Sequence, residues 1–360
     1  MMTKDPALQL YESRIRQKRL TMLVMTVLLL AAAVYSMMRG SMPLTARQIA
    51  LTLIGRGEKM WKTVVFGNRL PRVATTVLVG AILAVAGASM QCVLNNPLAS
   101  ASTLGVSQGA AFGAALGIIV FGGGVVNSSS SVVAVEINNP YIVTICAFVF
   151  GALTTAVILL LSQMKRSLGP GGLILAGVAI SSVFTGGSTL LQYFADETRI
   201  AAVVFWTFGN LGGTGWDDIR ILAIVFVVSF AYFMWNRWNY NAMTSGAETA
   251  KSLGVNARRV MLVSMAVCSV SASVAVAFVG IISFIGLIAP HMMRQFVGDD
   301  YRYLIPASAL AGALVLLIAD TFGRLVIAPV ILPVGAITAF LGGPMFLFLL
   351  IRGGYKNDRG

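Results

Sequence analysis

Long apolar runs, separated by short polar segments, dominate the chain from residue 21 onward. A membrane-spanning helix needs about 20 mostly apolar residues, and ten segments approach that length. They are 21–38, 73–94, 98–121, 141–162, 172–194, 219–236, 259–278, 281–296, 303–321 and 334–351. Their apolar stretches are continuous instead of alternating, which favours helices over a barrel. The pattern predicts an all-α polytopic membrane protein of about ten transmembrane helices.

Two boundaries between spans depend on turn residues inside longer apolar runs. The run from Val260 to Val297 is too long for one span, and Gly280 marks the predicted turn. The run from Val73 to Phe121 is divided at residues 95–97, where two Asn and a Pro interrupt the helix. The basic start of the chain is also compatible with a signal peptide, but no small-residue cleavage site follows the first run, so we predict a retained first helix.

These spans predict one transmembrane domain over residues 21–352, between an N-terminal segment, 1–20, and a short tail, 353–360. Two segments between spans are unusual. Residues 239–257 are too polar to span the membrane, and one or two helical turns are expected there, ending at Gly254. Residues 200–216 hold a short apolar piece followed by several glycines, which predicts a re-entrant or capping helix.

Composition supports the membrane interpretation and narrows the function. Hydrophobic residues make up 57% of the chain, charged residues 11%, and the mean hydropathy is +0.84, whereas soluble domains carry about 25% charged residues. The net charge of +13 would suit a nucleic-acid binder, but no basic segment is interleaved with stacking aromatics. We therefore predict no nucleic-acid partner. Three widely spaced cysteines indicate neither a disulfide framework nor a metal site.

The basic residues predict the orientation. With the N-terminus inside, 16 of the 26 Lys and Arg residues fall on the inner side and 10 on the outer side, which favours cytoplasmic N- and C-termini. The loop over residues 39–72 does not follow the rule that basic residues are enriched on the inner side. It would lie outside, yet it has seven basic residues and Glu58 as its one acid. Such a loop requires either a different topology or an acidic partner.

The sequence offers no catalytic or metal-binding constellation. Its one histidine, His291, has no second ligand nearby, and no Walker A motif occurs. The acid nearest a span interior is Asp320, for which a pair with Arg324 at i,i+4 is the simple explanation. An ion-coupled secondary transporter would need an intramembrane carboxylate, and a receptor or structural protein would not need the polar 239–257 segment. A transporter powered by a separate motor that docks on that segment is favoured over both alternatives.

Several strings resemble the FecCD-type permeases, which are the membrane subunits of type II ABC importers for iron-siderophores, haem and cobalamin. In chain order they are Arg69-Leu-Pro-Arg72, Gly87-Ala-Ser-Met-Gln91, Asn96-Pro-Leu-Ala99, Leu104-Gly-Val-Ser-Gln-Gly-Ala110, Trp206…Gly209…Gly212…Trp216, Leu253-Gly-Val255, Phe284-Ile-Gly-Leu-Ile-Ala-Pro-His291…Arg294, Ala319-Asp320…Arg324 and Leu332-Pro-Val-Gly335…Gly342-Gly-Pro-Met-Phe346. Each string is weak alone, but together they cover nearly the whole chain beyond the first helix.

The resemblance implies a bacterial or archaeal inner-membrane permease that pairs with a second permease, either an identical copy or a paralogue. It also implies two cytoplasmic ATPase subunits and an extracytoplasmic binding protein. The chain itself would bind no cofactor, because ATP and Mg belong to the ATPase subunit. Iron-siderophore is the first expected cargo, then haem, then cobalamin.

The resemblance also assigns candidate site residues. Docking of the binding protein falls to Arg69, Arg72 and Arg324. The residues assigned to contact with the ATPase are Gly246, Ala247, Glu248, Leu253 and Gly254. The alternative interpretation of this segment is an ordinary connecting loop. The pathway follows the fifth and parts of the tenth span, with a gate at Gly169, Pro170, Gly171 and Leu173. The Gly-Pro-Gly of this gate departs from the small hydroxyl residues found there in a cobalamin member of the family.

Overall fold

The computed structural model describes residues 6–40, 42–126, 135–137, 139–164, 169–328 and 330–357. Over these ranges the chain forms fifteen α-helices, one π-helical turn and a two-stranded antiparallel sheet. The helices are α1 Pro6–Met38, α2 Ala46–Leu53, α3 Lys59–Val64, α4 Leu70–Val93, α5 Val106–Ile119, α6 Pro140–Met164, α7 Pro170–Tyr193, α8 Glu197–Thr207, α9 Trp216–Trp235, α10 Arg237–Thr244, α11 Ala247–Ser252, α12 Ala257–Val279, α13 Ile285–Val297, α14 Tyr301–Leu325 and α15 Val334–Asn357. The π-turn is Val65–Arg69, and the strands are β1 Gly124–Val126 and β2 Val135–Ile137.

Each of the ten predicted spans is a helix, and together they confirm the all-α polytopic fold. Among the described residues, seven helices are long and apolar enough to cross a membrane, and Val106–Ile119 and Val334–Met345 are shorter apolar stretches. The predicted starts of α5 and α13 are too early. The residues before these helices, Gly105 and Phe284, have φ values of +83° and +65°, and left-handed backbone cannot continue a right-handed helix.

Helix α4 is the centre of the bundle. Every residue from Val79 to Val93 is buried, and α4 packs on α12, α13 and α14. Close approach depends on glycine, since a Cβ at Gly87 would overlap the backbone of Gly286 on α13, and a Cβ at Gly80 would overlap that of Gly312 on α14. Such packing holds helices together in lipid, where burial of apolar surface between helices gives no driving force.

Helix α7 lies at the opposite extreme. Only 11% of its apolar span is buried, against 83% for the span that contains α4. Small and hydroxyl-bearing residues alternate with large apolar ones along it, including the exposed Leu175 and Val183. Such a helix must face lipid or another chain.

The bundle has two polar ends. The arginine face is the end that carries Arg69, Arg72 and Arg324, together with α2, α3 and α8. The α10–α11 face is the opposite end, which carries α10, α11 and Asp300. Helix α1 connects the two faces, since Lys18 near its start lies 3.6 Å from a carboxylate oxygen of Asp300 and its end contacts Arg69.

We predict that Gly87→Ala destabilises the bundle by about 1–3 kcal/mol or more, because the new methyl group has no room against α13. The measurement is the thermal unfolding midpoint of the purified chain in detergent. Gly186→Ala on α7 is the control. A Cβ there meets nothing within 4 Å, so its midpoint should stay level or rise through better helix propensity. Equal midpoints for the two variants would contradict the packing account.

Candidate functional site

A buried carboxylate joins two arginines at the arginine face. Asp320 on α14 is 2% exposed, and its oxygens accept from Nε and Nη2 of Arg72 at 2.7–3.2 Å. Arg324, one helical turn later on α14, donates from Nε to the same carboxylate at 3.1 Å. The pair of Asp320 with Arg324 confirms the local interaction expected from their spacing, and Arg72 on α4 is a further partner.

Arg69 is buried by backbone contacts instead of a carboxylate. Its Nη1 donates to the carbonyl oxygen of Met37 at 2.5 Å, and its Nη2 donates to that of Met42. Arg324 also donates, through Nη2, to Ser36 Oγ at 2.6 Å. Both arginines thereby hold the end of α1 against the bundle, and their assignment to docking stays a prediction.

One edge of Arg72 still faces outward. It lines a cleft of about 700 Å³ at the arginine face, together with aromatic residues of α8 and the glycine-rich segment after it. A Cβ added to Gly212 in that segment would lie 2.8 Å from Arg72 Nη1. The guanidinium group therefore binds Asp320 on one side and borders the open cleft on the other.

Other cations of the arginine face are exposed. They belong to the basic loop that resisted the charge rule: Arg39, Arg47, Arg56, Lys59 and Lys62. The structure thus separates the basic residues of this face into a buried or partly buried set that fixes helices and an exposed set that sets the surface potential.

The α10–α11 face presents a short helical protrusion. Helix α11 ends at Ser252 and is followed by Gly254 with φ +80°, and Gly246 before it has φ +102°. Only glycine adopts these backbone angles at little cost. Glu248 is exposed and Leu253 is 66% exposed, so a large apolar side chain lies at the tip. Ala247 begins α11.

Helix α10 anchors this protrusion to the bundle. Tyr240 is fully buried, and its hydroxyl lies 2.8 Å from Ser264 Oγ on α12. Asn241 donates to Asp300 Oδ1 at 3.0 Å and accepts from the backbone N–H of Tyr301 at 2.7 Å. Although burial alone would raise it, the pKa of Asp300 is lowered to about 2 by hydrogen bonds from Arg302 and Asn241. Asp300 is therefore a charged acceptor at neutral pH.

A groove of about 600 Å³ runs along α7. Its lining consists of neutral side chains, many with hydroxyl or amide groups: Asn96, Leu98, Ser102, Thr103, Gln108, Ile174, Val178, Ser181, Ser182 and Thr185. None of these residues is ionisable. Ser181 and Thr185 lie at i,i+4 and therefore on the same face of α7. This spacing of hydroxyl residues is the sequence signal from which the groove could have been predicted.

The predicted gate lies at the start of α7. Gly169 is its extended N-cap and Pro170 its first residue, while Cβ atoms at Gly169 and Gly171 would meet nothing within 4 Å. Leu173 is fully buried in the core, so its side chain can influence a gate only through packing. The gate assignment stays a prediction.

Over the described ranges, no three His, Cys, Asp or Glu side chains converge to hold a metal ion. The described residues form a helical membrane protein with two polar ends and a neutral side groove.

Comparisons with known proteins agree with this class and refine it. The model of the FecCD transport family matches residues 28–352. An ABC transporter permease protein of Methanocaldococcus jannaschii is 50% identical over 96% of this chain and 97% of its own length. The Fe(3+)-citrate import system permease protein YfmE of Bacillus subtilis is 36% identical over 93% of this chain and 96% of its own length.

A solved structure of an inward-facing metal-chelate type ABC transporter has a TM-score of 0.79 and 29% identity, covering 92% of this chain and 98% of that one. The chain belongs to the FecCD transport family. It is an ABC transporter permease and not an ATPase, as the sequence predicted.

We predict that Asp320→Asn destabilises the chain by about 3–5 kcal/mol, because two largely buried arginines, Arg72 and Arg324, lose their shared counter-ion. The measurement is again the thermal unfolding midpoint in detergent. Asp217→Asn is the control, since Asp217 and its partner Arg220 are 86% and 76% exposed and such pairs contribute at most about 1 kcal/mol. A midpoint for Asp320→Asn as high as that of the control would refute a structural role for the pair.

Proposed function

We propose that this chain imports a metal chelate through a pathway formed with a second permease, either an identical copy or a paralogue. The observation that carries this proposal is the neutral, hydroxyl-lined groove on the largely unburied helix α7. A bare metal ion would require charged or imidazole ligands along its route. In a chelate, the chelator already supplies the ligands of the metal ion. Its transport needs only a wide passage that binds it weakly.

Within this proposal the candidate cargoes are ranked: an iron-siderophore or similar iron chelate comes first, haem second and cobalamin third. The printed name of the Bacillus subtilis relative, an Fe(3+)-citrate permease, supports iron as the first choice. Hydroxyl and amide groups in the groove suit a chelate that exposes oxygen atoms. Uptake of the iron-55 chelates, with haem and cobalamin as competitors, tests this order in proteoliposomes.

The α10–α11 face is proposed to be cytoplasmic and to bind the two ATPase subunits, with both termini on the same side. Exposed Leu253 and Glu248 on a helix fixed to the bundle by Tyr240 suit the insertion of a rigid protrusion into a groove of the motor. The chain then lies in a bacterial or archaeal inner membrane, with the arginine face outside. ATP and Mg bind to the ATPase subunits.

We predict that Leu253→Asp weakens binding of the cognate ATPase subunit by about tenfold or more, because burial of a leucine contributes about 1.5–3 kcal/mol. Affinity is measured in detergent with the purified subunit. Leu53→Asp makes the same change at a side chain that is 46% exposed on the opposite face and should bind like the parent chain. Parental affinity for Leu253→Asp would remove the protrusion from the ATPase interface.

The arginine face is proposed to receive the binding protein. In this proposal Arg72 contacts an acidic group of the partner through the cleft, while Arg69 and Arg324 hold the surrounding helices. The exposed cations of the basic loop attract the partner over longer distances. Charged rims of this kind mainly set association rates and lose effect as salt rises.

We predict that Arg47→Glu combined with Lys62→Glu slows association of the loaded binding protein by about tenfold at low salt. The difference should nearly vanish at about 1 M salt, where the Debye length is about 3 Å. The control is Arg16→Glu with Arg259→Glu, an equal charge change at exposed residues on the α10–α11 face. Parental association rates for the first pair would exclude steering by this loop.

A further inference from the structure

A chain of polar contacts extends from α10 into the interior of the bundle. It begins at Asn241, whose side-chain amide donates to Asp300 Oδ1 at 3.0 Å while its oxygen accepts from the N–H of Tyr301 at 2.7 Å. Asp300 is the N-cap of α14, so both contacts hold the first turn of that helix. Among side chains of this size, only a carboxamide can donate and accept in this way.

The acceptor end of this clamp is itself fixed. Asp300 binds Arg302 through both carboxylate oxygens, at 2.7–3.1 Å, and lies 3.6 Å from Lys18 Nζ on α1. Arg302 is also stacked 4.8 Å from the ring of Trp238 on α10. A displacement of α10 therefore moves α14 instead of a freely rotating side chain.

The contacts continue from α14 to α13 and α4. The hydroxyl of Tyr301 accepts from Arg294 Nη2 at 3.2 Å, and Arg294 Nη1 donates to Gln91 Oε1 at 2.5 Å. Gln91 Nε2 then lies 3.4 Å from the carbonyl oxygen of Gly286. This last contact is long, but Gln91 is 3% exposed and has little freedom to turn elsewhere.

The far end of the chain lies at a strained break. Phe284, two residues before Gly286, has φ +65°, which is costly for a bulky side chain. Phe284 lines a small cavity with Ser100 and Ser102, and Ser102 also borders the groove along α7. This series of polar contacts therefore connects the α10–α11 face with the wall of the proposed pathway.

We propose that Asn241 is the positioning residue through which movement of the α10–α11 protrusion reaches the head of α13 and the groove. This proposal rests on the proposed function, because it needs a motor that moves the protrusion. Asn241 is neither one of the residues that line the groove nor one of those assigned to ATPase contact. Its loss should separate ATP hydrolysis from transport while assembly is retained.

The test uses the full permease, reconstituted in proteoliposomes with its ATPase subunit, its binding protein and iron-55 ferric citrate as the probe. Asn241→Leu should lower the amount of iron transported per ATP hydrolysed by about tenfold, since it removes both hydrogen bonds, one of them to a charged group. ATPase affinity should stay within about twofold of the parent. Asn239→Leu is the matched control, because Asn239 donates to Asn236, the N-cap of α10, and it should keep the parental ratio.

A second variant guards against misfolding. Asn241→Asp keeps the size of the side chain and can still accept from the N–H of Tyr301, but it sets two carboxylates against each other and should uncouple. A parental ratio in assembled Asn241→Leu or in assembled Asn241→Asp would overturn the proposal. A parent chain that transports without ATP, or never binds an ATPase, would instead overturn the proposed function.

Discussion

Backbone-to-backbone packing of α4 against α13 and α14 is the constraint on which the other features depend. Lipid supplies no hydrophobic force to press helices together, so close contact requires small residues at the crossing points. Gly87 opposite Gly286 and Gly80 opposite Gly312 provide it. A wider separation at either crossing would move the partners of Arg72 and Gln91, which lie on α14 and α13.

The same helix carries both polar sites. Arg72 at its start binds Asp320 on α14, and Gln91 near its end binds Arg294 on α13. Polar groups are thus concentrated at the two ends of a rigid helix, while none of the described residues that line the groove along α7 can ionise. This distribution suits a conduit that is powered and supplied from outside itself: specific contacts lie where partners would bind, and weak ones where cargo would pass.

Much of the fold could be predicted from the sequence, because membrane helices are defined by continuous apolar length. The existence of all ten spans, the break after Val93 and the turn at Gly280 follow from local residues. The late starts of α5 and α13 were missed because both depend on left-handed backbone, at Gly105 and Phe284, and a bulky residue such as Phe284 gives no sequence signal of that conformation. The ion pair between Asp320 and Arg324, in contrast, could be predicted from the i,i+4 spacing of the two residues.

Long-range partners left no sequence signal. Arg72 lies 248 residues before Asp320, and nothing in either segment indicates the contact. The three arginines assigned to docking by resemblance are largely buried in internal contacts. Without a sequence signal for those contacts, they could not be distinguished from the exposed cations of residues 39–62. The two hydrogen bonds of Asn241 were equally hidden, because one joins a side chain to a backbone N–H of a distant helix.

The α10–α11 protrusion is proposed to face the cytoplasm and to bind the ATPase subunit there. Its most direct test is Glu248→Cys in intact cells and in inverted membrane vesicles, labelled with a membrane-impermeant thiol reagent. The native thiols lie within apolar helices, with Cys92 and Cys268 buried. The account predicts labelling only in inverted vesicles, with protection when the ATPase subunit is bound. Labelling from outside intact cells would contradict it.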